Sequence, residues 1–251
     1  DQYDPYKIWV SEIMLQQTQV ETVLPFFSSF MSKYPTVFHL AKTDLEVLKK
    51  DVEGLGYYRR FKFMHQTAQI IVDKYQGKFP DTYKDIISLP GIGAYTAGAI
   101  LSIAYQQPVS AVDGNVIRVL ARYYGLFDDF RVEKNKKKLD IINQSLIENA
   151  TPHIYTQALM ELGALVCRPK SPSCEKCPLA EHCIAFHDDV TDKLPALSKL
   201  KKQKEFNYIT LIIEDDFHFY LRKRTEALLE GMYEYPQFEA ESIHYVVSSL
   251  E

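Results

Sequence analysis

Two carboxylic acids occupy places in this sequence where an ionisable group can take part in catalysis. Glu12 lies on the same helical face as Trp9 and Leu15, so that a charge falls within an otherwise apolar stripe. A salt bridge or a position at a solvated edge would explain such a residue without any function. If its surroundings exclude water, however, desolvation raises the pKa of Glu12 and makes it a usable acid near neutral pH.

The second acid, Asp113, directly precedes the helical stretch "GNVIRVLARYY", whose apolar stripe consists of Val116, Val119, Leu120 and Tyr123. Asp113 is a candidate N-cap, and the positive end of a helix favours a negative charge at that point. Asn115 can hold this carboxylate in place. One carboxyl group kept protonated and another kept ionised form the pair that cleaves a bond to the anomeric carbon of a sugar.

The cysteines form a third candidate site. All four fall within "CRPKSPSCEKCPLAEHC", at Cys167, Cys174, Cys177 and Cys183. Two local disulfides are one interpretation, although nothing else marks a secreted protein. Zinc would prefer two short C-x2-C pairs, and only Cys174 and Cys177 form one. Four thiolates at unequal spacings, with a proline after Cys177, favour a [4Fe–4S] cluster.

A glycine-rich turn is the fourth motif. The stretch "SLPGIGAYTAGAIL" places Gly91 and Gly93 at the start of a helix. Such a turn lets backbone approach a ligand closely and points free N–H groups outward, an arrangement that binds phosphate. A plain turn between two helices is the alternative. Because a helix and not a strand is predicted before the glycines, the unit is interpreted as helix, hairpin, helix rather than as a nucleotide-binding fold.

The framework that must carry these motifs is helical as far as about residue 186. Asp4 as N-cap and Pro5 as first residue begin the first helix. Residues 96–105 are apolar all round and predict a buried helix. Asp81 is a candidate cap for a helix with one apolar face, formed by Tyr83, Ile86 and Ile87.

Beyond this region the sequence changes character. A lysine-rich polar stretch around Lys193 predicts a linker. After it, "NYITLIIEDDFHFYLRKR" indicates a β-hairpin with an Asp-Asp turn, in which Phe217, Phe219 and Leu221 share one face. The chain starts without a methionine and stops at Glu251, soon after this hairpin, so we expect both ends to belong to a longer protein.

The composition is that of an ordinary globular protein with room for two or three units, at 251 residues, 46% hydrophobic and 25% charged. No run of about eighteen apolar residues occurs, and no cleavable leader opens the chain, which argues against a membrane span or export. The net charge of -4 gives no overall sign of a nucleic-acid partner. Contacts with an acidic partner must therefore be local.

Together these motifs resemble the MutY adenine DNA glycosylases of the helix-hairpin-helix superfamily. The resemblance runs from about Asp4 to Cys183, in the family's order, through "SEIMLQQTQVETV", "GLGYYRR", "LPGIGAYTAGAI", "AVDGNVIRVLAR", "QALMELGALVC" and the cysteine loop. It implies a mainly α fold with an iron–sulfur loop. It also implies a monofunctional glycosylase of base excision repair, which flips adenine mispaired with 8-oxoguanine or guanine out of the duplex and hydrolyses its N-glycosidic bond.

The resemblance implies a role for each matching residue of the site. Glu12 would protonate adenine at N7, and Asp113 would face the oxocarbenium-like sugar. Tyr95 and Asn115 match positions that orient and support Asp113. Related endonuclease III enzymes have a lysine in place of Tyr95, which forms a Schiff base and cuts the strand. A phenol cannot form that imine, so the expected product is an abasic site.

The implied partner is double-stranded DNA with A:8-oxoguanine or A:G mispairs, bound by a monomer. Gln17 and Tyr57 match family residues that wedge into the duplex near the flipped base. Phosphate contacts are expected from a set of turn and cationic residues in these motifs: Arg59, Arg60, Gly91, Gly93, Arg168, Lys170 and Lys176. The protein would act in the bacterial cytoplasm, or in the nucleus of a eukaryote.

The resemblance also divides the chain. Residues 1–186 would form the catalytic region, with a six-helix barrel and hairpin at about 20–115 and an iron–sulfur subdomain from 1–19 plus 116–186. A linker over 187–205 would lead to a partial α+β Nudix-like domain for 8-oxoguanine recognition over 206–251, in which "LLEGMYEYPQFE" resembles an early segment. The glutamate-rich Nudix box does not follow, so no pyrophosphatase activity is expected.

Two other functions stay open on the sequence alone. An endonuclease III-like glycosylase and lyase acting on oxidised pyrimidines would form a covalent adduct with DNA that borohydride traps. A non-catalytic iron–sulfur protein that binds DNA would release no adenine at all.

Overall fold

The computed structural model describes residues 3–198, 206–226, 229 and 231–239. The chain divides after Ser198 into two compact units. No helix in the described ranges combines the length and the apolar character that a membrane crossing requires.

The first unit is built from helices joined by short turns. Its α-helices are α1 (Pro5–Leu15), α2 (Val20–Lys33), α3 (Val37–Lys42), α4 (Leu45–Asp51), α5 (Arg59–Tyr75), α6 (Tyr83–Ile87), α7 (Ala94–Ile103), α8 (Gly114–Tyr123), α9 (Glu133–Ile147), α10 (Pro152–Glu161) and α11 (Ile184–His187). A π-helical turn, Leu162–Val166, continues α10, and 3-10 turns cover Cys174–Lys176 and Ala180–His182. This agrees with the mainly α prediction.

Local sequence explains where several helices begin. The Asp4 carboxylate accepts a hydrogen bond from the Tyr6 N–H at 2.9 Å, and Pro5 takes the first helical position, as predicted. Helix α7 is buried along most of its length, also as predicted. The cap predicted for α6 was wrong by one residue: Thr82, not Asp81, accepts from the Asp85 N–H. Of the predicted apolar face, Ile86 is buried whereas Tyr83 is 43% exposed.

Three groups of buried side chains form the core of the described helical unit. The first draws on the helices from α1 through α7 and includes Trp9, Phe61 and Ile100. The second joins α8, α9 and α10 through Val119 and Leu139, and the third is a small group of Ala99, Ile103 and Ala111. The apolar face of α1 is buried against α2, α5 and α7, and its Ile8 also packs, with Met160 of α10, against the third group. The assignment of residues 1–19 to an iron–sulfur subdomain stays a prediction.

Part of the predicted linker belongs to the helical unit. Residues 187–198 pack onto it: Leu194 is 2% exposed, and its carbonyl accepts from Arg122 at 3.0 Å. Ser198 donates its backbone N–H to Asp129 at 2.9 Å. Residues 199–205, the rest of that prediction, lie outside the described residues.

The second unit contains two small antiparallel sheets. Strand β1 (Tyr208–Thr210) pairs with β4 (Gln237–Glu239), and β2 (Arg222–Lys223) pairs with β3 (Tyr233–Glu234). The predicted turn at Asp215 exists, since Glu214 bridges Phe219 across it. The predicted hairpin forms over a short stretch around this turn, where the Asp215 N–H donates to the His218 carbonyl at 3.0 Å and the Tyr220 N–H donates to the Ile213 carbonyl at 2.9 Å, while β1 pairs with β4.

Gly98 offers a test of how tightly α7 packs. A Cβ at this position would lie 2.0 Å from the Ser110 carbonyl oxygen, which is fixed backbone. We expect Gly98→Ala to lower the free energy of unfolding, measured by urea denaturation, by about 1–3 kcal/mol. Gly114→Ala is the matched control, because nothing lies within 4 Å of its added methyl group. Equal losses in the two variants would contradict the close approach.

Candidate active site and cysteine pocket

Glu12 and Tyr95 meet where α1 packs against α7. The Tyr95 hydroxyl donates a 2.6 Å hydrogen bond to Glu12 Oε2 and lies 3.9 Å from the Met160 sulfur. Glu12 is 9% exposed. Among the described lysines and arginines, none forms an ion pair with it. Neither a salt bridge nor a solvated edge therefore accounts for Glu12.

The surroundings of Glu12 shift its protonation equilibrium. Burial raises the pKa of the Glu12 carboxyl to about 7, and the negative charge of Asp113 adds to the rise, whereas the hydrogen bond from Tyr95 opposes it. Burial, with the nearby Glu12 and Asp113 charges, also raises the pKa of the Tyr95 phenol far above its usual range. Glu12 and Asp113 thus lie close enough to interact through their charges.

Asp113 is held at the start of α8. As predicted it is the N-cap, with Oδ1 accepting from the Val116 N–H at 2.7 Å. Its second oxygen, Oδ2, accepts from the Asn115 amide at 3.0 Å. Both carboxylate oxygens are therefore fixed in direction, while the half-buried side chain keeps part of its surface open.

The structure places the Tyr95 hydroxyl against Glu12, to which it donates a hydrogen bond, and its interaction with Asp113 is electrostatic. The packing of α1 against α7 brings the Glu12 carboxyl into contact with the first turn of α7. The support of Asp113 that the family resemblance assigns to this phenol stays a prediction.

Arg118 is a residue of this site that the sequence reasoning missed. It is 8% exposed, and its guanidinium donates to Asn115 Oδ1 at 2.8 Å and to the Gly163 carbonyl at 2.7 Å. Its Nε donates to the Cys167 carbonyl at 2.6 Å. A Cβ on Gly163 would lie 2.6 Å from the Asn115 Cβ, so the close contact requires glycine. The spacing of Arg118 and Arg122 on an apolar helix was the available signal.

The four cysteines line one pocket, together with apolar side chains that include Val166 and Phe186. All four are free thiols, so the two disulfides considered above do not form. The buried Arg122 also lines the pocket and donates from Nη1 to the Cys167 Sγ at 3.4 Å. Its Nη1 and Nη2 donate in addition to the carbonyls of Arg168 and Pro169, at 2.8 and 3.1 Å.

A donor set of four thiols in a largely apolar pocket suits a metal cluster by its chemistry. In the part of the chain that the structure describes, however, no three His, Cys, Asp or Glu side chains are gathered closely enough to hold a single metal ion. The pocket therefore shows the right ligand types without itself establishing a metal centre.

Gln17 and Tyr57 lie in two loops, residues 16–19 and 52–58. Both are exposed, and Tyr57 retains 59% of its accessible surface. Both also have left-handed backbone, with φ of 56° at Gln17 and 50° at Tyr57, which is uncommon outside glycine. The structure thus holds these two side chains out from the helical unit.

The structure does not support a phosphate contact for Arg60. This residue is 4% exposed, and its guanidinium is occupied by backbone carbonyls of α1 and of the 52–58 loop. Its neighbour Arg59 is exposed and lies over the Phe63 ring, 5.2 Å from the centroid. The different exposure follows from helical geometry, since successive residues of α5 point in different directions.

The remaining predicted DNA contacts are at the surface. Gly91 has a φ of 74°, and an added Cβ would lie 2.7 Å from the Phe63 Cβ, so this turn requires glycine. Gly93 is the N-cap of α7. Exposed positive charges lie along the cysteine segment at Arg168, Lys170 and Lys176.

Comparison with known sequences identifies the family. The model of the HhH-GPD superfamily base excision DNA repair proteins matches residues 10–147. An adenine DNA glycosylase of Buchnera aphidicola subsp. Schizaphis graminum is 37% identical over 235 residues, covering 93% of this chain and 68% of that protein. The Homo sapiens adenine DNA glycosylase is 43% identical over 181 residues, 72% of this chain and 33% of the human protein.

Solved structures share the architecture. A thermostable thymine-DNA glycosylase superposes with a TM-score of 0.67 at 29% identity, over 74% of this chain and 86% of that one. A non-covalent endonuclease III–DNA complex gives a TM-score of 0.62 at 24% identity with the same coverage, which shows the common fold. By fold and by sequence, the chain belongs to the HhH-GPD superfamily of base excision DNA repair proteins and, within it, to the adenine DNA glycosylases.

Proposed function

We propose that this protein removes adenine that is mispaired with 8-oxoguanine or guanine in double-stranded DNA, by hydrolysing the N-glycosidic bond of a flipped nucleotide. The observation that carries the proposal is the buried Glu12, whose pKa is raised to about 7, beside the fixed carboxylate of Asp113. Such a pair offers a proton and a negative charge at the same place. Adenine is inferred as the base because the similar proteins are named adenine DNA glycosylases.

The first step is the loss of the base. Protonated Glu12 donates its proton to adenine at N7, and the bond between the base and C1′ breaks with its electron pair leaving on adenine. Adenine departs neutral, and the sugar is left with oxocarbenium character. General acid catalysis of this kind contributes about 10²–10⁴-fold in rate.

The second step is the capture of the sugar by water. The Asp113 carboxylate, fixed by Val116 and Asn115, faces the developing positive charge and lowers its energy. Water adds to C1′, and its proton passes to one of the two carboxylates, which completes the hydrolysis. Because Tyr95 holds Glu12 Oε2, Oε1 is the oxygen that carries the proton toward the base.

Tyr95 also bears on the type of glycosylase. A lyase needs an amine that attacks C1′ and forms a Schiff base with the opened sugar. Tyr95 presents a phenol, whose pKa is raised further by burial and by its acidic neighbours. We therefore infer a monofunctional enzyme that leaves an abasic site and an uncut strand.

DNA contacts in this proposal come from the exposed loops. Tyr57 and Gln17 fill the space that the flipped adenine leaves in the duplex. Their contacts offset part of the cost of unstacking the base, which is a few kcal/mol. Phosphates are bound by the N–H groups at Gly91 and Gly93. Exposed cations at the start of α5 and along the cysteine segment add positive charge: Arg59, Arg168, Lys170 and Lys176.

For the cysteine pocket we propose a [4Fe–4S] cluster held by Cys167, Cys174, Cys177 and Cys183. The support is the shared pocket of free thiols and the Arg122 N–H group directed at Cys167. When bound, such a cluster cross-links the segment covalently through its iron–thiolate bonds. The segment then presents Arg168, Lys170 and Lys176 to the DNA backbone.

For the second unit we propose a partial Nudix-like fold that takes part in recognising 8-oxoguanine. Its support is the antiparallel pairing of β1 with β4 and of β2 with β3, together with the sequence resemblance. The protein would act as a monomer wherever the genome is kept, in the bacterial cytoplasm or in the nucleus.

The substrate is tested by single-turnover release of adenine from duplexes that carry it opposite 8-oxoguanine, guanine or thymine. We expect rates in that order, with almost no release opposite thymine, because a mispaired base flips at lower cost than a paired one. Borohydride should trap no adduct. Equal rates on the three duplexes, or a trapped adduct, would rule out the proposed activity.

The acid is tested by pH dependence. Because the acting form of Glu12 is protonated and its pKa is about 7, the release rate should fall as pH rises through about 7. Glu12→Gln should lose about 10²–10⁴-fold in rate and also lose this alkaline decline. Glu133→Gln, which changes an exposed glutamate of α9, is the control. An unchanged alkaline decline in Glu12→Gln would assign it to another group.

A measurement without DNA checks the same carboxyl. Its folded pKa is raised from 4.5 to about 7, so its protonation stabilises the fold fully below about pH 4.5, and this contribution disappears as pH rises through 7. The free energy of unfolding of wild type should therefore fall relative to that of Glu12→Gln as pH rises from about 4.5 to about 7. A difference that is independent of pH would mean that Glu12 titrates normally.

Tyr95→Phe separates the hydrogen bond from the acid. The bond lowers the pKa of Glu12 against the effect of burial, so its loss should move the alkaline fall in rate upward by about one pH unit. Tyr105→Phe is the control, because this phenol donates a similar 2.7 Å bond to the Phe79 carbonyl, away from Glu12. A downward shift in Tyr95→Phe would contradict the geometry.

A further inference from the structure

One buried side chain connects the two loops that carry Gln17 and Tyr57. Arg60 is the second residue of α5. Its Nη1 donates to the carbonyls of Ile13 and Met14, at 3.1 and 3.0 Å, in the last turn of α1. The Gln16 carbonyl shares the same nitrogen. Arg60 therefore fixes the end of α1 and the first residue of the 16–19 loop.

The other nitrogen of the guanidinium reaches both loops. Arg60 Nη2 donates to Thr18 Oγ1 at 3.0 Å and to the Leu55 carbonyl at 3.2 Å. Gln17 lies between two residues that Arg60 contacts, and Tyr57 lies two residues beyond Leu55. A second contact closes the 52–58 loop, because the Gly54 N–H donates to the Tyr58 hydroxyl at 3.0 Å.

The backbone at both loops requires such a constraint. Gln17 and Tyr57 are both held at positive φ, a conformation that an L-residue adopts at an energetic cost and keeps only where its surroundings impose it. Arg60 restrains the backbone around Gln17, because it donates hydrogen bonds to the residues on both sides, Gln16 and Thr18. A single guanidinium thus contacts both loops, on both sides of Gln17 and two residues before Tyr57.

The buried charge of Arg60 is surrounded by hydrogen-bond acceptors in the two loops and α1. Among the described residues its acceptors are four carbonyls and one hydroxyl, and no carboxylate forms an ion pair with it. Burying a cation without a counter-ion is unfavourable. The planar guanidinium fork directs donors at several acceptors at once, which the single ammonium group of lysine cannot do.

We propose that Arg60 is a positioning residue that sets Gln17 and Tyr57 together in the arrangement that stabilises the flipped adenine. The inference rests on the proposed function, because it assigns a task to the two loop residues within that reaction. It extends that function by making their action dependent on one residue that does not touch DNA. The dependence distinguishes Arg60 from Arg59, which is exposed beside it.

The test measures base unstacking and base release separately. The emission of 2-aminopurine, placed next to the target adenine opposite 8-oxoguanine, reports unstacking on binding. Arg60→Gln should reduce the emission rise and the single-turnover rate on this duplex by about tenfold or more. On a duplex whose target adenine lies in an unpaired bulge, the rate should fall by less than about threefold, since the base is already unstacked. Equal losses on both duplexes would indicate general damage and overturn the proposal.

A cycle of variants shows whether Arg60 acts through the two loop residues. In a Gln17→Ala, Tyr57→Ala background, Arg60→Gln should change the emission signal by less than about twofold, because its targets are gone. The same factor in both backgrounds would overturn the proposal. Arg59→Gln is the matched control, for which we expect weaker binding that depends on salt but an unchanged emission rise in the bound complex.

Milder variants keep the proposal testable if Arg60→Gln does not fold. Thr18→Val removes one acceptor of Arg60 and should reduce the emission rise in the same direction by a smaller factor. Arg60→Lys keeps the charge without the fork and should not restore the signal; full restoration would overturn the proposal. The emission is read before adenine is released, so failure of wild type to excise adenine would reject the proposed function while the comparison of Arg60 variants still stands.

Discussion

Glu12 is useful only because it is kept from water beside a second acid. An exposed glutamate would be ionised at neutral pH and would have no proton to give. The helical unit prevents this by burying α1 against α2, α5 and α7, with Trp9 fully enclosed on the same helix. Asp113 is held in a different environment, because a backbone N–H and the Asn115 amide both donate to its half-buried carboxylate. One fold thus provides two carboxyl groups with different surroundings, one kept from water and one fixed by two hydrogen bonds.

The parts of this arrangement that could be predicted from the sequence are local. Asp4 and Asp113 precede helices and cap them through contacts two or three residues away, so their neighbours in the chain suffice. The apolar composition of α7 predicts its burial. The position of Glu12 on an apolar stripe predicts an unusual environment for a carboxyl group, and the structure leaves this side chain only 9% exposed.

The contacts that the sequence could not predict join distant segments. Tyr95 and Glu12 are far apart in the chain, so nothing in either motif shows that the phenol bonds to Glu12. Arg60 follows Arg59 in a basic motif, and only the packing of α5 shows that one is buried and the other exposed. The same limit applies to the packing of α1. Its apolar face can be recognised in the sequence, but the helices that this face packs against cannot.

Three buried arginines bind backbone carbonyls at places where the backbone of this unit leaves regular α-helix. Arg60 binds carbonyls at the end of α1, Arg118 binds those of Gly163 and Cys167 around the π-helical turn, and Arg122 binds those of Arg168 and Leu194. A carbonyl without a partner is costly when buried, and one guanidinium can satisfy several carbonyls from different segments. These three cations are therefore unavailable to phosphate. The local positive charge for DNA must come from the exposed lysines and arginines, which net charge and motif composition alone do not separate from the buried ones.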